Sequence, residues 1–449
     1  MNASKCLSTA LLVAAALAAS AVAYAAQGDS VAGYKLLTTI SLPGGLAAND
    51  ISWVDSSNAR YYLSDHGNAA ATPPVLPRVV VIDTQTNQFL TSITVPASTN
   101  GLLAIPRTHE VWVGLNDSTV AVINTDTNTI AAIIPTGGTA RADEMAYDPI
   151  DRLILVANDK DNPPFVSFIS QVTRKVVKKI NYDGVAGPQS TGGIEQPVWD
   201  AVAEKFYLAI PATKSNPNGE VDELDPVSLS VTRSFPSACK GPAGLVLIPH
   251  QRLMTSCGDA IDILSGKVLT TVMGVGGDEI WYNRGDQRVY FGGGTDHISV
   301  NVVDANSYAI LASLTVGQIV ASPGVSQKTH SLAADSDNNE LFVPVSGVGV
   351  QVWRNGASIT AFPNPVPVSI GSASGATTIF WNAPNADAIE IHIGAPNGPL
   401  FTYDSNSGSA STGPWVSDGM TFYLQDVTGG AAPTAANTLA TLVIHLKKG

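Results

Sequence analysis

Basic residues are scarce in this chain of 449: 24 Lys and Arg stand against 37 Asp and Glu, a formal net charge of −13. Binding nucleic acid or an anionic membrane surface requires a basic face, so this balance argues against both partner classes. Charge of either sign is sparse, at 14 % of residues, while Gly, Ser, Thr, Asn and Pro are plentiful. That composition favours short strands and many turns over long solvated helices. Several chemical signatures are also missing. There is no Gly-x-Ser-x-Gly, no His-Glu-x-x-His and no phosphate-binding Gly-Lys-Ser/Thr, and Gly292-Gly293-Gly294-Thr295 sits in a loop that opens no helix. No Cys-x-x-Cys-His is present to attach a c-type haem.

Long apolar runs are lacking too, with one short exception. Lys5, the run Leu11–Ala19 and then Ala23-Tyr24-Ala25 have the order of a secretory signal, with cleavage expected after Ala25. The run is too short for a membrane span, and no later segment qualifies. The expected location is therefore secreted or periplasmic. Of the 3 cysteines, Cys6 would leave with the signal. Cys239 and Cys257 remain, and an even pair in an oxidising compartment is expected to form a disulfide.

What is present in quantity is repetition. The stretch Val79-Val80-Val81-Ile82-Asp83-Thr84-Gln85-Thr86-Asn87-Gln88-Phe89-Leu90-Thr91-Ser92-Ile93 reads as a strand, a polar turn and a second strand. It recurs at a spacing of roughly forty to fifty residues. Second strands of successive copies begin at Arg60, Glu110, Arg152, Lys205, Arg252, Arg288 and Glu340. Six copies carry a fourth strand, at Phe89–Ile93, Ile130–Ile134, Val176–Ile180, Val231–Phe235, Val268–Val272 and Ile310–Leu314. The last copy lacks one, but Leu36–Pro43 matches Phe89–Pro96, so the N-terminal strand is expected to complete the last sheet and leave no open edge.

Segments such as Arg152-Leu153-Ile154-Leu155-Val156-Ala157-Asn158 and Val79–Asn87 resemble the YVTN (YncE-type) seven-bladed β-propeller repeat proteins, over roughly residues 33 to 356. The resemblance implies an all-β chain: a seven-bladed β-propeller closed by an N-terminal strand, over residues 26–357. It implies no activity, because the family's roles are varied and a fold alone licenses none. Beyond it, Phe362-Pro363-Asn364-Pro365-Val366-Pro367 marks a stiff linker over 358–368. Alternating runs at Thr377–Trp381, Ala388–Ile393, Thr421–Leu424 and Leu439–Ile444 then suggest a small immunoglobulin- or fibronectin-like β-sandwich over 369–449. Trp381, Phe401, Tyr403 and Trp415 could form a sugar-stacking platform there, or simply its core.

One column of the repeat carries chemistry. The residue opening each first strand reads Asp50, Gly101, Asp143, Glu195, Gly244, Asp278 and His330. In a propeller that strand lines the central channel, so four carboxylates and a histidine would meet at one mouth. Glu144 and Glu279 adjoin the column. Loops holding His66, Asp159-Lys160-Asp161 and His297 should emerge on the same face. Like charges crowded this way raise one another's pKa, recruit a cation or stay solvated. As a metal set, Asp50, Asp143, Glu195, Asp278 and His330 would suit Ca²⁺, Zn²⁺ or Mn²⁺. Besides a redox partner or cofactor-bound oxidoreductase, two functions follow as expectations. One is a scaffold binding a small ligand or protein through Asp50, Asp143, Glu195, Asp278, His330, His66 and His297, with carbohydrate as a partner for the C-terminal module. The other is a metal-dependent, lactonase-like hydrolase.

Overall fold

The computed structural model describes residues 34–293, 298–319, 326–383 and 386–448. The expected signal segment and His297 lie outside them. The chain is all-β, and its first three hundred or so described residues form seven four-stranded antiparallel sheets. No helix among the described residues is long and apolar enough to cross a membrane.

The repeated sequence makes the same local structure each time. Asp83 Oδ1 accepts from the Gln85 and Thr86 amides at 3.0 and 2.9 Å and from Thr86 Oγ1 at 3.0 Å. Asn87 then takes a left-handed conformation, φ 57°, and the next strand begins. Asn124 and Asp304 hold the equivalent turns with the same side-chain acceptor. An Asx acceptor followed by a residue that tolerates positive φ closes the hairpin locally, which is why this polar sentence recurs. The strand before it, Arg78–Asp83, is buried along Val79, Val80, Val81 and Ile82, whereas Gln88–Thr94 after it is largely exposed or half-buried. Strands covered on both faces read as unbroken apolar runs, and outer strands do not.

The innermost strands of the seven sheets are Asn49–Asp55, Thr99–Ile105, Met145–Asp148, Pro197–Asp200, Leu245–Ile248, Gly277–Asn283 and Ala333–Asp335. Each packs against the next, and the last packs against the first, so they form a closed circuit. The N-terminal strand Tyr34–Ile40 pairs antiparallel with Gly349–Asn355 and supplies the outer strand of the seventh sheet. The seam between the seventh and first sheets is also polar. Ser331 Oγ accepts the Ser52 amide at 2.9 Å, and Thr84 Oγ1 donates to Asp335 Oδ2 at 2.6 Å. Arg78, 7 % exposed, ties down the chain leaving the N-terminal strand: it donates to Asp65 Oδ2 at 2.7 Å and to the Pro43 and Gly45 carbonyls at 2.8 and 3.0 Å.

Gly101 is required by close approach of inner strands. A Cβ there would lie 1.9 Å from the Asp143 carbonyl oxygen. Cys239 and Cys257 are joined in a disulfide, bridging the segment ahead of the fifth sheet to a turn within it.

The C-terminal residues form a three-stranded sheet (Ser358–Phe362, Thr378–Asn382, Ser407–Ser411) and a four-stranded one (Leu400–Asp404, Ile389–Ile393, Thr421–Asp426, Thr438–Val443). They share a core that includes Ile379, Ile389, Ile391, Phe422 and Leu424. The stretch expected as a linker is instead built into this unit. Ser358–Phe362 pairs with Thr378–Asn382, and Val366–Val368 runs parallel to Leu446–Lys448. Buried Ile359 and Val366 anchor it, and the prolines at 363 and 365 occupy the connection between two short edge strands, where no ladder donor is lost. The four aromatic residues do not make one platform: Trp381 is core, while Tyr403 is 63 % exposed.

Two substitutions test this account of closure. Arg78→Met leaves Asp65 buried and unpaired, and should cost about 3–5 kcal/mol in a denaturant melt. Gly101→Ala should cost about 1–3 kcal/mol from overpacking, read as a lowered melting midpoint.

Candidate functional site

Asp50 and Asp278 lie within the inner strands of the first and sixth sheets, and Asp143, Glu195 and His330 lie just ahead of those of the third, fourth and seventh. The antiparallel ladder sets their level. The Asp143 amide donates to the Ala157 carbonyl at 2.8 Å, and the Glu195 amide donates to Ala209 at 2.9 Å. One residue deeper, the carbonyls of Glu144, Gln196 and Gly244 accept from the amides of Ala157, Ala209 and Ser256 respectively. Gly244 therefore sits with Glu144 and Gln196, not with Asp143 as the sequence column placed it.

His330 is the first hub. Its Nε2 lies 2.9 Å from Asp50 Oδ1 and its Nδ1 lies 3.0 Å from Asp278 Oδ2. Carboxylates on both nitrogens require both to donate, which only the imidazolium can do. Burial would lower its pKa, but hydrogen bonds to Asp278 and Asp50 outweigh that and lift it to about 11. Asp50 responds in the opposite direction. Burial would raise it, yet the hydrogen bond from His330, the nearby His66 and the charges of His330 and Arg141 hold it well below the usual carboxylate range. His66 Nε2 stands 3.9 Å from Asp50 Oδ2, so the loop histidine belongs to the same cluster.

Arg141 is the second hub. It makes a two-pronged bond to Asp159, Nε to Oδ1 at 2.8 Å and Nη2 to Oδ2 at 2.9 Å. Its Nη2 also meets Asp143 Oδ2 at 2.5 Å, and Nη1 lies 3.5 Å from Asp50 Oδ2. Lys160 covers Asp159 Oδ2 at 2.7 Å. Carboxylate oxygens of Asp143, Asp159 and Glu195 all lie within 4.8 Å of one another. Burial, then Asp159 and Asp278, pushes Glu195 up to about 8. Asp143 is raised well above its ordinary value by burial and by Asp50.

A carboxyl pair lies beneath. Glu144 from the third sheet and Glu279 from the sixth are 6 % and 4 % exposed. Burial and the neighbouring Glu279 raise Glu144 well above the carboxylate range, and burial brings Glu279 to about 7. Two desolvated carboxyls facing each other share a proton more readily than they carry two charges. Among the described residues Glu144 Oε2 has no hydrogen-bond partner.

The structure thus brings together Asp50, Asp143, Glu195, Asp278, His330 and His66, while His297 lies outside the described residues. Sequence reasoning overlooked Arg141 and the pairing of Glu144 with Glu279, and took Asp159 for one loop acid among several. The alternation Arg141-Ala142-Asp143 in a chain poor in arginine was the available signal. For a cation, Asp143, Asp159 and Glu195 are the donors that fit, an all-oxygen set suited to Ca²⁺ or Mn²⁺ rather than to a histidine-preferring ion. His330, with both nitrogens donating, supplies no lone pair to a metal. Cys239, Cys257 and Asp259 also cluster, but the sulfurs are spent in the disulfide, and Asp259 accepts from Ser237, Ala238 and Cys239.

Comparison with protein-family models and with curated proteins finds no match to this chain.

The raised carboxyls give a signed pH dependence. Between its ordinary value of 4.5 and its folded value of about 8, Glu195 binds more protons folded than unfolded, so stability falls as pH rises through that window. His330 has the same sign, its contribution complete below 6.5 and lost as pH climbs toward about 11. Asp50 acts oppositely, losing its contribution only as pH falls into the acid range. The melting midpoint should be higher at pH 5 than at pH 8, and Glu195→Gln should flatten that difference in a calorimetric pH series.

Proposed function

We propose that the seven sheets are the blades of a β-propeller of the YVTN (YncE-type) class, followed by an immunoglobulin- or fibronectin-like sandwich, in a protein exported to the periplasm or beyond. The closed circuit of inner strands and the returning N-terminal strand support the ring reading. The disulfide suits an oxidising compartment.

On that reading the protein is a binding scaffold whose ligand docks at the acidic channel mouth. The observation that carries it is the charge imbalance there. Among the described residues, Asp50, Asp143, Asp159, Glu195 and Asp278, with the Glu144–Glu279 pair below, are met by Arg141, Lys160 and His330, with His66 3.9 Å from Asp50. Raised values at Glu195 and Glu279 mean that the site holds protons it would exchange for a positively charged ligand. A small cation-bearing ligand or a basic protein segment meets that requirement. Binding should release protons and strengthen as pH rises.

A metal-dependent hydrolase is the second reading, favoured by the convergence of Asp143, Asp159 and Glu195. It requires Arg141 to give up two of those three partners. One titration separates the two. Calorimetry of the mature chain with spermidine and, separately, with Ca²⁺, Zn²⁺ and Mn²⁺ should show polyamine binding with proton release, weakened at least tenfold in Asp143→Asn/Glu195→Gln. No uptake of the polyamine at low salt would sink the scaffold reading. Tight uptake of Ca²⁺ or Mn²⁺ with a raised melting midpoint would support the metal reading, through linkage.

A further inference from the structure

The other end of the inner strands is chemically unlike the charged mouth. There the seven sheets surround a cavity of about 860 Å³, a volume within the range of small-molecule sites. Its wall is aromatic, with Trp53, Tyr147, Trp199 and Trp281 contributed by the first, third, fourth and sixth sheets. These rings are held in place. Trp53 meets Trp281 edge to face at 5.1 Å, Trp199 leans on Phe206 at 4.8 Å, and the Tyr147 hydroxyl donates to Gln171 at 3.0 Å. Its lining includes Gln196, which the ladder sets at the level of the buried Glu144, and Leu245 and Met145, one residue further along their strands. The carboxyl pair therefore stands between this cavity and the acidic mouth.

The charges lining the cavity are also of the opposite sense. Arg107 makes no hydrogen bond or ion pair among the described residues, and Arg284 donates only to Ser336 Oγ, at 3.3 Å. The one acid in the lining, Asp55, is 7 % exposed and spends its Oδ1 on the Ser57 amide and hydroxyl. Two guanidiniums without carboxylate partners at the rim of an aromatic cavity define a chemistry: a flat apolar body for the rings and an anionic group for the arginines. We propose that this cavity is a second binding site, independent of the acidic mouth, for a ring-bearing small molecule carrying a carboxylate, sulfonate or similar anionic group.

Two fluorescent probes test it on the mature full-length chain: 8-anilinonaphthalene-1-sulfonate and its neutral relative N-phenyl-1-naphthylamine. Both should bind saturably at one site. Arg107→Ala/Arg284→Ala, at exposed positions, should weaken the sulfonate at least tenfold and leave the neutral probe unchanged. Leu247→Trp, which fills the cavity, should weaken both at least tenfold, with circular dichroism confirming the fold. If that variant misfolds, the arginine pair alone decides the result. Absence of saturable binding, or sulfonate affinity indifferent to the arginines, would overturn the proposal. Loss of polyamine binding at the acidic mouth would not bear on it.

Discussion

The pairing of Tyr34–Ile40 with Gly349–Asn355 is the constraint on which the remaining architecture rests. It joins the first described residues to the last strand of the seventh sheet, and it turns a linear series of sheets into a circuit. Without it the seventh sheet would end at an unpaired edge, and an open edge is a template for pairing with other chains. Arg78 reinforces the join by holding the carbonyls of Pro43 and Gly45 just beyond the strand. Packing, hydrogen bonding and charge all act at one seam.

Closure also explains why the charged mouth exists at all. Residues as distant in sequence as Asp50 and His330 come within 2.9 Å because the first and seventh sheets are neighbours. Crowding so many carboxyls into a partly desolvated space is costly, and the chain offsets that cost in three ways: an imidazolium between Asp50 and Asp278, a guanidinium among Asp50, Asp143 and Asp159, and protons retained on the carboxyls left over. What remains after those compensations is a negative site of graded acidity. The same inner strands turn aromatic at their far end, so one set of short segments builds two environments of opposite electrostatic character, divided by buried Glu144 and Glu279.

Much of this was legible along the chain. Hairpins could be read from the Asp-Thr-x-Thr-Asn pattern, because the Asx acceptor and the positive-φ residue act within five positions. The fourth strands and the return of the N-terminal strand could be read from the match of Leu36–Pro43 to Phe89–Pro96. The disulfide was expected from the even pair of cysteines beyond the apolar N-terminal run. The C-terminal segment 358–368 was misread, since prolines that look like a linker are equally at home between two edge strands. Gly244 was placed one residue too high, because sequence spacing alone carries no information on how each ladder is registered.

What the sequence determined by itself was local: the turns, the strand types, the acid surplus and the presence of four carboxylates and a histidine at repeat openings. These depend on interactions within a few residues, or on composition. Only the tertiary structure decided that His330 would bridge Asp50 and Asp278, that Arg141 would enter the carboxylate cluster, and that Trp53 and Trp281 would share a cavity with two arginines that have no carboxylate partner among the described residues. Those outcomes depend on distances across the circuit of sheets, and a side chain's charge state follows from which neighbours closure brings to it and how much water they displace.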